Sequence, residues 1–402
     1  MLNLEKKKEW KFFEEIEDIH EMVESIFLAH NVKRGKGDIL MFVDEIQESI
    51  KAISKLRYLY EDFPDVHVIA AGSLLDFTLN ELRTFPVGRV EFLNIYPASF
   101  SEFLLAIGAD LAEQELHEMP PKKHHLPTLM KLFQTYTIIG GMPEIVAEYA
   151  KKRSYNGLSR IYQSIWGTYK EDVNKYGKNS SERRIIRHIM DTAPHLIDQR
   201  IKFQNFGNSN YRSREVGDAM RNLDAAGIMK IVYPTTATRQ PLLQDKKKSP
   251  RLQFLDTGLL NYALGLQARM IGLKDLSSTY RGAIVQHIVY QELMALGAEE
   301  SISPRFWVRE KSQSTAEVDL VMNVGELVMP IEIKSGPTGR LKSLHQFVNR
   351  CDHDLAIRVH GGNFSVDELV TPEGKPYRLM NLPYYKASKL PQCADWFLKH
   401  YA

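Results

Sequence analysis

Cysteine is nearly absent from the 402 residues, which hold only Cys351 and Cys393. Two thiols so placed make neither a metal-binding spacing nor a disulfide framework, and they predict a reducing, cytoplasmic setting. No run of eighteen apolar residues occurs, so no membrane span and no membrane partner are expected. The first residues, Met1 to Lys8, lack the apolar core of a secretion signal. An excess of one charge is missing too. The 52 Lys and Arg against 50 Asp and Glu leave a formal charge of +2, which gives no global attraction to nucleic acid but leaves local patches open. Internal repeats and low-complexity stretches are also missing. What remains is ordinary globular material, 44% hydrophobic and 25% charged, long enough for two or three domains.

A hydrophobic strand ending in two acids carries the first chemistry. Ile39-Leu40-Met41-Phe42-Val43 lead into Asp44 and Glu45. A buried parallel strand delivers carboxylates to the carboxyl edge of a sheet in this way. In a nucleoside triphosphate site of the Walker B kind, Asp44 would hold the water shell of a magnesium ion and Glu45 would polarise the attacking water. The same pair would also serve as an acidic start to the next helix. The phosphate-cradling spacing Gly-x4-Gly-Lys-Ser/Thr occurs nowhere in the chain. Val66 to Gly72 reads as a second buried strand, with Ser73 at its tip as a polar sensor or as a simple turn or cap residue. Val90 to Ile95 reads as a third, preceded by Gly88 and Arg89. Arg89 is a candidate for stabilising charge on a transferred phosphate, or a surface arginine after a turn glycine. Strand, helix, strand with short connections predicts parallel pairing through a right-handed crossover.

Helical spacing of apolar residues predicts helices over 10–30, 46–59, 100–107 and 126–150, the last interrupted by a turn at Gly140-Gly141-Met142-Pro143. A helix from Arg214 to Gly227, a strand from Met229 to Tyr233 and an exposed, lysine-containing segment over 234–250 suit a winged helix. Arg212, Arg214 and Arg221 would then meet DNA phosphates. The alternative is a helical packing module with a solvated basic loop. His124 and His125 read as surface residues.

Towards the C-terminus the pattern becomes a helix over 281–297 followed by strands at 305–309, 316–323, 326–334 and 355–360. Asp319 lies on one strand of a hairpin, and Glu332 and Lys334 share a face of the other. Two carboxylates and a lysine can hold a hard divalent cation, with Asp319 and Glu332 as its ligands, and position water for phosphodiester cleavage. A solvated face with a cross-strand ion pair is the alternative. Gln286 stands on the preceding helix where a further carboxylate would strengthen metal binding, and Glu292 reads as a surface residue.

The order of these motifs resembles the prokaryotic AAA-type ATP-binding proteins that carry a C-terminal DUF4143 region. The residues that carry it are Leu2-Asn3-Leu4-Glu5, Phe42 to Gln47, Ala71-Gly72-Ser73, Gly88-Arg89, Pro97 to Phe103, Gly140 to Glu144, Glu317-Val318-Asp319 and Ile331 to Lys334. The resemblance implies an α/β chain in three parts. Residues 1–108 would form a partial P-loop NTPase sheet of the AAA (ASCE) type, with Asp44, Glu45, Ser73 and Arg89 catalytic and ATP and magnesium as cofactors. Residues 109–265 would form a helical and winged-helix middle. Residues 266–402 would form a restriction-endonuclease-like domain of the PD-(D/E)XK kind. The family places a strand, the phosphate loop and its helix before the stretch that Asn3-Leu4-Glu5 resembles. Without them the sheet is expected to carry a gap, or to pair Val66–Ala71 directly with Val90–Ile95. The expectation is therefore a shortened descendant or fragment of such an ATPase, weak in ATP binding. A magnesium-dependent nuclease and a non-enzymatic binder of DNA or of another protein are the alternatives, and a ring or dimer is compatible with the class.

Overall fold

The computed structural model describes residues 1–33, 35, 38–72, 88–173, 177, 179–197, 199–267, 279–296, 304–310, 316–334 and 341–402. The chain forms two compact units, Met1–Asn94 and Ile95–Ala402.

The first unit is built on strands β1 (Leu2–Asn3), β2 (Ile39–Asp44) and β3 (Val66–Ala70), all parallel, in the order β1-β2-β3. Helices α1 (Lys7–Glu15), α2 (Ile19–Ala29) and α3 (Ile50–Asp62) bury Phe13, Val23, Ile26, Ile53 and Leu59 against Leu2, Met41 and Val43. The single helix expected over 10–30 is broken at Ile16–Asp18. Buried Lys55 donates to the Phe13 and Ile16 carbonyls that end α1, and the Asp18 side chain accepts the Glu21 N–H that starts α2.

On the other face of this sheet Leu40 is 60% and Ile69 50% exposed. The outer edge of β3 carries no partner strand among the described residues. Residues 90–95, expected as a strand, form none, and the direct pairing with Val66–Ala71 is not made. Phe92, Leu93 and Ile95 lie exposed instead. Apolar, β-prone residues become a strand only where a ladder partner receives their backbone, so composition alone does not decide it.

The second unit opens with helices α4 (Phe100–Ala106), α5 (Asp110–Glu115), α6 (Leu126–Ile139), α7 (Pro143–Lys152), α8 (Leu158–Glu171), α9 (Ser180–Thr192) and α10 (Ser213–Ala225). Residues 95–108, grouped with the ATPase part in the sequence reading, pack here. Strands β4 (Met229–Val232) and β5 (Arg251–Phe254) then pair antiparallel, and α11 (Thr257–Ala263) and α12 (Thr279–Leu296) follow. The remaining elements are β6 (Arg305–Val308), β7 (Glu317–Val324), β8 (Leu327–Ile333), α13 (Lys342–Val348), β9 (Leu355–His360), β10 (Ser365–Val370), β11 (Pro376–Pro383) and α14 (Leu390–Tyr401). The strands form a mixed sheet in the order β10-β11-β9-β8-β7-β6. Strands β6, β7 and β8 form an antiparallel meander, and β9 returns parallel to β8 after α13.

The segment 234–250 is not the free wing that its polar composition suggests. Thr235 N–H donates to the Phe306 carbonyl at 2.9 Å, and Val308 N–H donates to the Thr235 carbonyl at 2.9 Å. This covers the edge strand β6. Trp307 Nε1 donates to the Thr236 carbonyl at 3.1 Å, and Leu242 is buried in the sheet's core with Trp307, Val321 and Phe347. Lys246 and Lys247 remain exposed.

Candidate functional site

Register brings the two ends of the first sheet motif together. Asn3 pairs with Asp44 across β1 and β2, so both side chains emerge at the carboxyl edge. Asn3 Nδ2 lies 3.4 Å from Asp44 Oδ2, and Asp44 Oδ1 accepts the Glu45 N–H at 3.2 Å. Glu45 leaves the strand in the left-handed region, with φ of 54°, and its carboxylate accepts from Gln47 Nε2 at 2.5 Å. It does not cap the next helix; Ser49 does, accepting the Ala52 N–H at 3.0 Å. The sequence offers Asn3 only as part of the Leu2–Glu5 motif; its place beside Asp44 is set by strand register.

Arg89 is placed elsewhere. Helix α3 starts after the Asp44 edge and runs back to the start of β3, so Glu61 lies at the amino edge of the sheet. Arg89 pairs with Glu61 at 3.0 Å. The structure therefore does not bring Arg89 to Asp44 and Glu45. Ser73 lies outside the described residues.

The second constellation sits on β7 and β8. Asp319 Oδ2 accepts the Ile333 N–H at 3.0 Å, and Lys334 Nζ lies 2.5 Å from Glu332 Oε1. Burial, and then the charge of Asp319, push Glu332 up to about 8 while Lys334 pulls it back. Burial also raises Glu317, against the pull of Arg251. Arg251, at the start of β5, was missed in the sequence. Its Nη2 pairs with Glu317 and lies 3.8 Å from Asp319 Oδ1. No spacing rule links a residue 66 positions before Glu317 to that strand. Gln286 and Arg251 line one small cavity with Gln253, His287 and Tyr290; its volume of about 20 Å³ is room for about one water. Among the described residues, no group of three or more His, Cys, Asp or Glu is arranged to hold a metal ion.

Glu292, expected at the surface, is fully buried. It accepts the Phe100 N–H at 3.1 Å and lies 2.5 Å from the Tyr136 hydroxyl. Burial above all raises it to about 7, with the Tyr136 and Phe100 hydrogen bonds opposing. Beside it Asp256 accepts the Gly141 N–H at 2.6 Å and the Leu259 N–H at 2.8 Å, yet burial raises it to about 6. The Ala98 N–H donates to the Gly141 carbonyl at 2.7 Å. The Pro97–Phe103 and Gly140–Pro143 motifs thus meet at two buried acids. His287 Nε2 accepts the Phe254 N–H at 3.0 Å, so its proton sits on Nδ1, toward Thr257 Oγ1 at 2.8 Å. Burial holds this imidazole neutral, down to about 3. These buried groups join segments that are far apart in the chain.

Arg212, Arg214 and Arg221 are exposed at the start and on the outer face of α10. Arg221 pairs with Asp218 at 2.5 Å, and Arg214 approaches the same carboxylate at 3.9 Å. No described helix is long and apolar enough to cross a membrane.

Residues 1–104 match the family described as AAA domain. Residues 130–270 match a domain of unknown function, DUF8612, and residues 281–381 match another, DUF4143. No curated protein and no solved structure matches the chain.

Proposed function

We propose that this chain is an AAA-type nucleoside triphosphatase module, with its nucleotide chemistry at Asp44 and Glu45, joined to a helical, winged-helix segment and a restriction-endonuclease-like end. The observation that carries it is the emergence of Asp44 and Glu45 together at the carboxyl edge of a parallel sheet, beside Asn3. The residues present fit the metal half of such a site. Asp44 would hold the magnesium water shell, and Glu45 would take a proton from the attacking water once its carboxylate leaves Gln47. Bound magnesium would neutralise charge on the phosphates. The phosphate half is not met: neither the sequence nor the described residues offer the loop of amides and the lysine that grip phosphates.

The chain by itself is therefore expected to bind Mg-ATP without saturation at micromolar concentrations, with the residual binding lost in Asp44→Ala. Calorimetric titration tests both parts. Micromolar affinity would overturn the weak-binding part. Complete indifference to millimolar Mg-ATP in wild type and variant alike would remove the nucleotide reading.

The restriction-endonuclease-like reading of the last segment is supported by its strand order. Helix α12 precedes the β6-β7-β8 meander, and α13 leads to a strand parallel to β8. Asp319 lies near the start of β7, Glu332 lies near the end of β8, and Lys334 directly follows that strand. As arranged, the acids do not fit a divalent cation, because Arg251 and Lys334 already engage them. Wild-type protein is accordingly expected to leave plasmid DNA intact in magnesium. Cleavage abolished by Lys334→Ala would overturn that and establish the nuclease.

A further inference from the structure

The carboxylates of β7 and β8 receive a cation from a separate part of the chain. Arg251 belongs to the β4–β5 hairpin, not to the sheet that carries Glu317, Asp319 and Glu332. Its side chain is 13% exposed and lies over the Phe306 ring, 4.8 Å from the centroid. One nitrogen, Nη2, faces both Glu317 and Asp319. The other two, Nε and Nη1, are buried without an acceptor among the described residues, beside the water-sized cavity that Arg251 lines. Charge on the carboxylates therefore holds the guanidinium more than hydrogen-bond geometry does.

A second atom on the same face is unmet. Glu332 is 6% exposed at its side chain, and its Oε2 is buried without a donor among the described residues while Oε1 meets Lys334. A carboxyl oxygen in that position is short of a cation or a proton. A divalent ion drawn to these oxygens would come within a few ångströms of the guanidinium, where repulsion in a poorly solvated site is strong. Arginine cannot relieve it by losing its proton.

We infer that Arg251 stands in the place of a metal ion, and that Glu317, Asp319 and Glu332 bind a hard divalent cation only when this guanidinium is withdrawn. Substitution of Arg251 withdraws the guanidinium while β5 stays in place, tied to His287 through Gln253 and Phe254. The inference concerns the cluster alone. It holds whether or not the module cleaves phosphodiesters.

Manganese titration of the full chain, by calorimetry and by the electron paramagnetic resonance of free Mn²⁺, tests it. The wild type is expected to bind no manganese at this cluster. Arg251→Met should bind one ion at least tenfold more tightly than wild type, and Asp319→Asn added to it should abolish that site. Arg251→Lys, which keeps the charge, should behave as wild type. If the Met variant does not fold, Arg251→Gln keeps the polarity and much of the length and gives the same expected result. Binding by the wild type that Asp319→Asn removes would overturn the inference. So would a neutral Arg251 variant that binds no better than wild type. Cation binding by the neutral Arg251 variants without cleavage of DNA would leave the inference standing and remove the nuclease reading.

Discussion

The Tyr136 hydroxyl lies 2.5 Å from Glu292 Oε1 and 2.8 Å from the Ala98 carbonyl oxygen. A hydroxyl has one proton and cannot donate to both. The contacts are satisfied together when Glu292 is protonated and donates to Tyr136, which in turn donates to Ala98. Glu292→Gln imitates that neutral state and is expected to cost under about 1 kcal/mol. Glu292→Ala strands the Phe100 N–H and leaves a hole, at about 3 kcal/mol. Urea unfolding of the two variants checks the difference.

The same pair sets a pH dependence. Glu292 is raised from 4.5 to about 7 in the folded chain, by burial first. The folded state then holds the proton more tightly than the unfolded one. Its contribution is fully present below pH 4.5 and is lost as pH rises through 7, about 3 kcal/mol in all. Asp256, raised from 3.8 to about 6, has the same sign over a lower window. Wild-type stability should fall from pH 5 to pH 8, and Glu292→Gln should flatten much of that fall. An unchanged slope in the variant would sink the assignment.

Gly141→Ala should destabilise by at least about 2 kcal/mol. A Cβ there would run into the backbone nitrogen and carbonyl oxygen of Ala98, neither of which can swing away. Gly167 in α8 is the control, since its Cβ would meet open space. Gly167→Ala should stabilise by about 0.5–1 kcal/mol. Thermal melts of both variants decide it.

Lys386 is fully buried and donates to the carbonyls of Glu115, Leu116 and Glu118 at 3.0, 2.9 and 2.6 Å. It closes the C-terminal end of α5 from a distant part of the chain. Lys386→Met leaves the carbonyls unmet, at about 2–3 kcal/mol. Hydrogen exchange should quicken at 110–118 before it does in β7 and β8. Uniform quickening would mean that Lys386 does not act locally.

Arg214 and Arg221 share one carboxylate, that of Asp218. If α10 contacts DNA, Asp218→Asn should tighten binding, and Arg214→Ala with Arg221→Ala should weaken it about tenfold. The double variant should also lower the slope of log affinity against log salt by about 2. Fluorescence anisotropy at several salt concentrations measures this. Absence of binding at low salt removes the DNA reading.

The motifs with local rules were legible. Asp44 and Glu45 were readable because a buried strand has a fixed direction and a fixed edge. Asp319, Glu332 and Lys334 were readable because a hairpin turn at Gly325 sets which side chains share a face. Glu292 was misread as a surface acid, since nothing within a few residues announces Tyr136 or the Phe100 N–H. Arg251 was invisible for the same reason. The 234–250 segment misled because polar side chains were allowed to stand for exposure. Its backbone, not its side chains, makes the pairing with β6. Val90 to Ile95 had strand composition, but composition supplies no ladder partner.

The reach of two buried side chains back to the start of the second unit has a consequence during synthesis. Phe100 and the carbonyls near Leu116 precede Glu292 and Lys386 by 192 and about 270 residues. At ribosomal speeds that interval is on the order of tens of seconds. Phe100, Phe103 and the end of α5 must wait that long for the groups that close over them. The second unit finishes folding only after Lys386 has emerged, and its early segments are natural clients for chaperones until then.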